Sequence, residues 1–180
     1  MPSATDTPPP VRLLFIVQMA SAWPNMRSVY RAAERDPRFV VKLVLAPFHH
    51  QLSPIAPAYE EAREQLQSEG VGFQHHEFLD LEGYRPDVVF VPNPYEESRP
   101  ESLQMPALEA VGARIAYIPY GLEMGGGSWN IGAQFNQRIH QTAWRVFARS
   151  QRHRRLFGRH CEAGNAHVVV TGHPKFDTPE

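Results

Sequence analysis

The 180 residues carry 42% hydrophobic and 21% charged side chains with a formal net charge of -1. A chain of this length and composition buries roughly 70% of its unfolded surface in one packed domain, which excludes global disorder. No uncharged apolar run reaches the ~20 residues that cross a bilayer, and the opening lacks the basic start and apolar stretch of a signal peptide; the expectation is a cytoplasmic chain. The single Cys161 can form neither an internal disulfide nor a multi-thiolate metal site.

In chain order, residues 1–10 are polar and proline-rich and read as a disordered tail. Val11–Val17 is a nearly continuous apolar run, as a central parallel strand covered on both faces requires. Asn25 then stands where it can cap a helix whose apolar positions Met26, Val29, Tyr30 and Ala33 follow a helical period, and Asp36-Pro37 ends it. Phe39–Leu45 predicts a second strand, about Tyr59–Glu69 a helix closed by Gly70, and Phe73–Glu77 a weaker third strand. Asp87–Val91 is the fourth strand, a helix over about Leu103–Val111 follows, and Arg114–Ile118 is the fifth. A glycine-rich loop spans Tyr120 to Gly132, and Phe135–Trp144 predicts a helix. Val146–Ala148, a basic helix over Gln151–His160 and the strand His167–Thr171 complete the alternation.

This exchange of strands and helices specifies an α/β, Rossmann-like open parallel sheet with helices on both faces. Ligands of such sheets bind beyond the carboxyl ends of the strands. The exit loops therefore supply the candidates: Ser21, Asn25, Asn93, Tyr120, Gly121, Glu123, Gly125, Gly126, His173, Lys175 and Asp177. Successive glycines let backbone N–H groups converge on an anion or admit a sugar. Glu123 is the only acid from Ala110 to Cys161 and is a candidate general base.

Several chemistries fail on the residues. The first exit loop lacks the glycines of a dinucleotide site, Gly125-Gly126-Gly127-Ser128 has no following lysine, and no Gly-x-Ser-x-Gly elbow occurs. The pairs His49-His50 and His75-His76 lack metal-ligand spacing, so neither a metal nor a cofactor is expected. Charge is asymmetric: Tyr59–Glu109 holds twelve acids against three bases, and Ala110–Cys161 one acid against eight. Aromatic residues are not regularly interleaved with these arginines, so the basic face reads as a solvated or docking surface and nucleic acid is not expected.

Arg85-Pro86-Asp87-Val88-Val89-Phe90-Val91, Tyr117-Ile118-Pro119-Tyr120-Gly121 and Val169 through Asp177 resemble the N-terminal domain of GT-B transferases, specifically the CDP-glycerol glycerophosphotransferase family. Gly172-His173-Pro174-Lys175-Phe176-Asp177 is the most specific of these matches, and Tyr120 stands where that family has a histidine taken as its catalytic base. The resemblance implies two Rossmann-like domains, with the acceptor largely on the first. Residues 11–177 would form this acceptor-side domain, and the donor-binding domain would lie outside this chain. The implied reaction moves glycerol phosphate, or a sugar, from a nucleotide-activated donor such as CDP-glycerol or a nucleotide sugar to a hydroxyl of a glycan or lipid-linked acceptor, at or near the inner membrane face. Glu123 or Tyr120 would deprotonate the acceptor, and His173 with Lys175 would stabilise phosphate charge. The alternatives are a GT-B glycosyltransferase or UDP-sugar epimerase half, and a non-catalytic binding module.

Overall fold

In the computed structural model, which describes residues 8–50, 53–54, 56–121 and 126–177, a seven-stranded parallel sheet forms the centre of the chain. Its strands are β1 (Val11–Val17), β2 (Phe39–Leu45), β3 (Gln74–His75), β4 (Val88–Val91), β5 (Arg114–Tyr117), β6 (Arg145–Ala148) and β7 (Val168–Val170). They lie in the spatial order β3-β2-β1-β4-β5-β6-β7, every pair parallel. The order reverses between β1 and β4, the switch point of a doubly wound sheet. A two-residue antiparallel pair, His49–His50 with Ser53–Pro54, stands apart from it.

Alternate strand residues feed two cores. On one face Leu13, Phe15 and Val17 meet α1 (Arg27–Glu34) and α2 (Ala56–Ser68) through Tyr30, Ala33, Ala62 and Leu66. On the other, Leu14, Ile16, Val89 and Tyr117 meet α4 (Met105–Ala110), α5 (Ser128–Phe135), α6 (Arg138–Thr142) and α7 (Gln151–His160). Between β3 and β4, α3 (Leu81–Tyr84) sets the Tyr84 hydroxyl between the Leu13 and Val40 carbonyls at 2.9 and 3.0 Å. Helices thus cover both faces because right-handed crossovers place those moving left and those moving right on opposite sides.

Four local expectations are corrected. Asn25 does not cap α1: it ends a 3-10 turn, Ala20–Asn25, and Met26 precedes the helix without a side-chain cap. Phe135–Trp144 is not one helix. α5 begins at Ser128, placing Gly132 inside it, and a break at Asn136–Gln137 separates α6, where the His140 ring accepts a hydrogen bond from the Gln137 amide at 3.1 Å. Asn136 is drawn outward, donating to the His160 carbonyl at 2.7 Å and accepting from the Glu162 amide at 2.9 Å. The third strand shortens to two residues, followed by a 3-10 turn, His76–Phe78. α3 was not expected; it ends at Arg85, whose φ of 45° reverses the chain before Pro86.

Phe157 is fully buried, with its ring edge-on to Phe135 at 5.0 Å. Phe157→Ala is expected to lower unfolding free energy by about 3–5 kcal/mol, read as a lower urea midpoint with an unchanged slope.

Candidate functional site

Parallel strands bring every carboxyl end to one edge, and hydrogen bonds tie the exits together there. At the switch point, Gln18 after β1 donates to the Pro47 carbonyl at 2.8 Å and the Ser98 carbonyl at 2.6 Å, and accepts from Asn93 Nδ2 at 2.8 Å. Asn93 Oδ1 accepts from the Tyr95 amide at 2.9 Å and the Ser98 hydroxyl at 3.0 Å. Arg99, buried beside them, donates to the Asn93 carbonyl at 3.0 Å and the Leu103 carbonyl at 3.2 Å, and pairs with Glu96 at 3.2 Å. Every member is satisfied, as a buried polar network must be. The crevice between β1 and β4 is therefore filled by the protein's own side chains, and Asn93, a candidate from sequence, is 2% exposed and engaged within it.

An opening lies one strand further along. A pocket of about 390 Å3 is walled by Tyr95, Tyr117, Tyr120 and Trp129, with Asn130 and Gln134 of α5 at one side and His140 and His153 at its base. Tyr95 and Tyr120 stand edge to face at 6.5 Å, and Trp129 is 80% exposed at the mouth. Gly121 contributes to the wall; exposed Gly126 accepts a hydrogen bond from Asn130 at 3.0 Å through its carbonyl. Burial, reinforced by the hydrogen bond with Tyr95, pushes the Tyr120 phenol up to about 12. At neutral pH it is a hydrogen-bonding phenol rather than a phenolate base.

His173 joins this cluster from the β7 exit. Its Nε2–H donates to the Pro119 carbonyl at 3.0 Å, and its Nδ1 accepts from the Lys175 amide at 3.2 Å, so both nitrogens of the neutral ring are engaged. Burial lowers its pKa in spite of the Pro119 bond, with the Arg149 and Lys175 charges acting in the same direction. Gly172 makes this turn possible, with a φ of 88° that side-chain-bearing residues disfavour. Lys175 is exposed, and Asp177 turns away from the pocket to accept a hydrogen bond from the Ser28 hydroxyl of α1 at 2.5 Å. The turn that holds Ser21 and Asn25 packs on the Pro174–Phe176 turn; Ser21 is exposed, and the buried Asn25 Oδ1 has no hydrogen-bond partner. Glu123 and Gly125 lie outside the described residues.

The structure therefore brings Tyr120, Gly121 and His173 together, sets Asn93 beneath the Tyr95 loop, and places Asp177 and Ser21 elsewhere along the edge. Sequence reasoning missed Tyr95, Trp129, Asn130 and the buried histidines. Trp129 immediately after a glycine cluster in an exit loop was the available signal; nothing in the spacing pointed to His140 or His153. Among the described residues no group of three or more potential ligands could hold a metal ion, and no helix is long and apolar enough to cross a membrane.

The sequence matches no protein-family profile and none of the curated proteins. In fold, the chain is similar to the UDP-GlcNAc 2-epimerase of Neisseria meningitidis bound to UDP-GlcNAc, with a TM-score of 0.61 and 14% identity over 92% of this chain and 47% of that one. S. aureus MnaA in complex with UDP gives a TM-score of 0.59 at 14% identity over 91% and 44%. HepE from Anabaena, in complex with UDP and glucose, gives 0.54 at 12% identity over 91% and 44%. The chain spans less than half the length of these proteins.

Burial holds the imidazoles of His140 and His153 down to about 3 and about 4, the His140 ring further lowered by the neighbouring histidines and His153 by Arg149. Because both lie below the ordinary 6.5, the unfolded chain binds more protons in this interval, so stability is complete above about pH 6.5 and falls as pH drops toward 4. Thermal melts should show this acid slope, shallower in His153→Phe, which keeps a ring between Phe135 and Phe157; a melting temperature flat across that range would contradict the assignment. The chain has the Rossmann-like α/β fold of the N-terminal half of GT-B proteins.

Proposed function

We propose that this chain is the first lobe of a two-lobed enzyme acting on a nucleotide-activated sugar, and that the Tyr95–Tyr120–Trp129 pocket receives the sugar or acceptor portion. The observation that carries this reading is an open aromatic pocket with flanking amides at the sheet's carboxyl edge, in a fold similar to that of proteins bound to UDP or UDP-GlcNAc. Aromatic walls pack the apolar face of a pyranose ring, and Asn130 and Gln134 offer both donors and acceptors to its hydroxyls. The nucleotide would be held mainly by a companion lobe.

The chemistry would be divided accordingly. His173 is occupied in joining the β5 and β7 exits, so its part is to hold the pocket's rim in place. Tyr120 would donate a hydrogen bond to a substrate oxygen. Proton abstraction would fall to Glu123, close to Tyr120 in the sequence, whether the step is activation of an acceptor hydroxyl or removal of a ring proton for inversion. Lys175 would meet phosphate from the solvent side. Similarity to UDP-sugar proteins favours a UDP-sugar; the Gly172–Asp177 turn is the feature that supports CDP-glycerol, and the same assay separates them.

Titration of the chain with UDP-GlcNAc, UDP and CDP-glycerol, followed by tryptophan fluorescence, should show a response to UDP-GlcNAc that is abolished in Trp129→Ala and weakened about tenfold in Tyr120→Ala. A response to CDP-glycerol alone would move the reading to phosphoglycerol transfer, and none to any probe would remove the pocket from it. With the two lobes assembled, Glu123→Gln should lower turnover by about 10²–10⁴-fold with little change in substrate affinity.

A further inference from the structure

Gln137 is the N-cap of α6, and His140 stands at the third helical position, from which a side chain can reach back to the cap's own amide. Glutamate or glutamine takes that place in the usual pairing; here an imidazole does. The Gln137 amide has a proton to give and lies 3.1 Å from His140 Nδ1, so Nδ1 is the acceptor. The proton of the neutral ring is thereby fixed on Nε2.

Packing and backbone contacts fix the ring's place. It lies tilted against Tyr117 at 5.4 Å and edge-on to Phe157 at 5.7 Å, and the residue is 2% exposed. Its carbonyl is anchored as well, accepting from His167 Nε2 at 2.7 Å and from the Cys161 thiol at 3.5 Å, so the end of α7 and the approach to β7 both hold it. Burial first, then the neighbouring His153 and His167, hold the ring's pKa down to about 3. Near neutral pH it stays uncharged. A neutral imidazole that donates from one nitrogen polarises an oxygen without bringing a charge into the site.

Among the described residues none accepts a hydrogen bond from His140 Nε2, although His140 lines the pocket together with Tyr120 and Gln134. A polar group that the protein leaves unanswered in a concave site meets water or a ligand. The described lining residues include no Asp, Glu, Lys or Arg, so a carboxylate or phosphate would enter without a counter-charge. A hydroxyl or an amide carbonyl gains a hydrogen bond and leaves no charge buried. We propose that His140 contacts the bound sugar, donating from Nε2 to an uncharged oxygen, a hydroxyl or an amide carbonyl, at the floor of the pocket. The inference rests on the sugar-pocket reading and adds specificity to it. Aromatic walls hold a pyranose by its apolar face without choosing among its edges, whereas one donor of fixed position and tautomer selects the edge that carries an acceptor.

Nitrogen NMR of the chain as it stands, labelled at histidine, reads the tautomer directly, with the His140 signals assigned by their loss in His140→Gln. His140 should show a pyridine-type Nδ1 and a pyrrole-type Nε2, and saturating UDP-GlcNAc should move the Nε2 resonance more than the Nδ1 one. Two substitutions of matched length separate contact from packing. His140→Met suits the apolar neighbours but has no donor, and should weaken UDP-GlcNAc binding about tenfold by tryptophan fluorescence; His140→Gln restores an N–H at a similar reach and should stay within about threefold of the parent. A merely structural role predicts the reverse order, because Met packs against Tyr117 and Phe157 better than an amide does. An Nδ1–H tautomer, an Nε2 resonance unmoved by ligand, or equal affinities of the two variants would overturn the proposal, while parent binding that depends on Trp129 would leave the sugar pocket standing. No response of the parent chain to UDP-GlcNAc would instead remove the sugar pocket, and this contact with it.

Discussion

The structure depends on the handedness of a parallel crossover. Once seven strands run in one direction, each connection must leave the sheet, pack as a helix and return, and its right-handed sense decides which face it covers. From this constraint come two cores that share the sheet and a single edge collecting every strand exit. The side chains obey it residue by residue: Phe90 and Ala116 point to one core, while Val89, Val91, Ile115 and Tyr117 point to the other.

At the carboxyl edge, a buried polar network determines where a ligand can go. In a doubly wound sheet the gap between the strands of the reversal is the usual crevice. Here Gln18, Asn93, Ser98 and Arg99 close it with mutually satisfied hydrogen bonds. The opening is displaced to the β4 and β5 exits, where the chain presents aromatic rings and amides. Its titratable groups are held neutral: burial raises Tyr120 and lowers His140, His153 and His173. Such a surface is suited to hydrogen-bonding and desolvating a polyol rather than to moving protons.

The strands were legible because a strand buried on both faces must be an almost unbroken apolar run. Val11–Val17 and Phe39–Leu45 are observed with the expected bounds. Helix ends were less legible, since caps are decided by remote partners. Asn136 interrupts a helical stretch because the end of α7 offers it a carbonyl and an amide, and Asn25 lies in a turn packed against residues about 150 positions later. Of the candidate site, the exit-loop origin was readable and led to Tyr120, Gly121 and His173. The engagement of both His173 nitrogens, and the enclosure of Asn93, depend on loops distant in sequence.

By itself the sequence determined an α/β alternation, a parallel sheet and the set of loops that reach its working edge, because these follow from local hydrophobic pattern and the connectivity rules of parallel strands. Tertiary structure alone decided which of those loops enclose a pocket and which polar side chains are spent on one another. Those outcomes depend on approach between residues such as Pro119 and His173 or Gln18 and Asn93, whose separation along the chain carries no local signal.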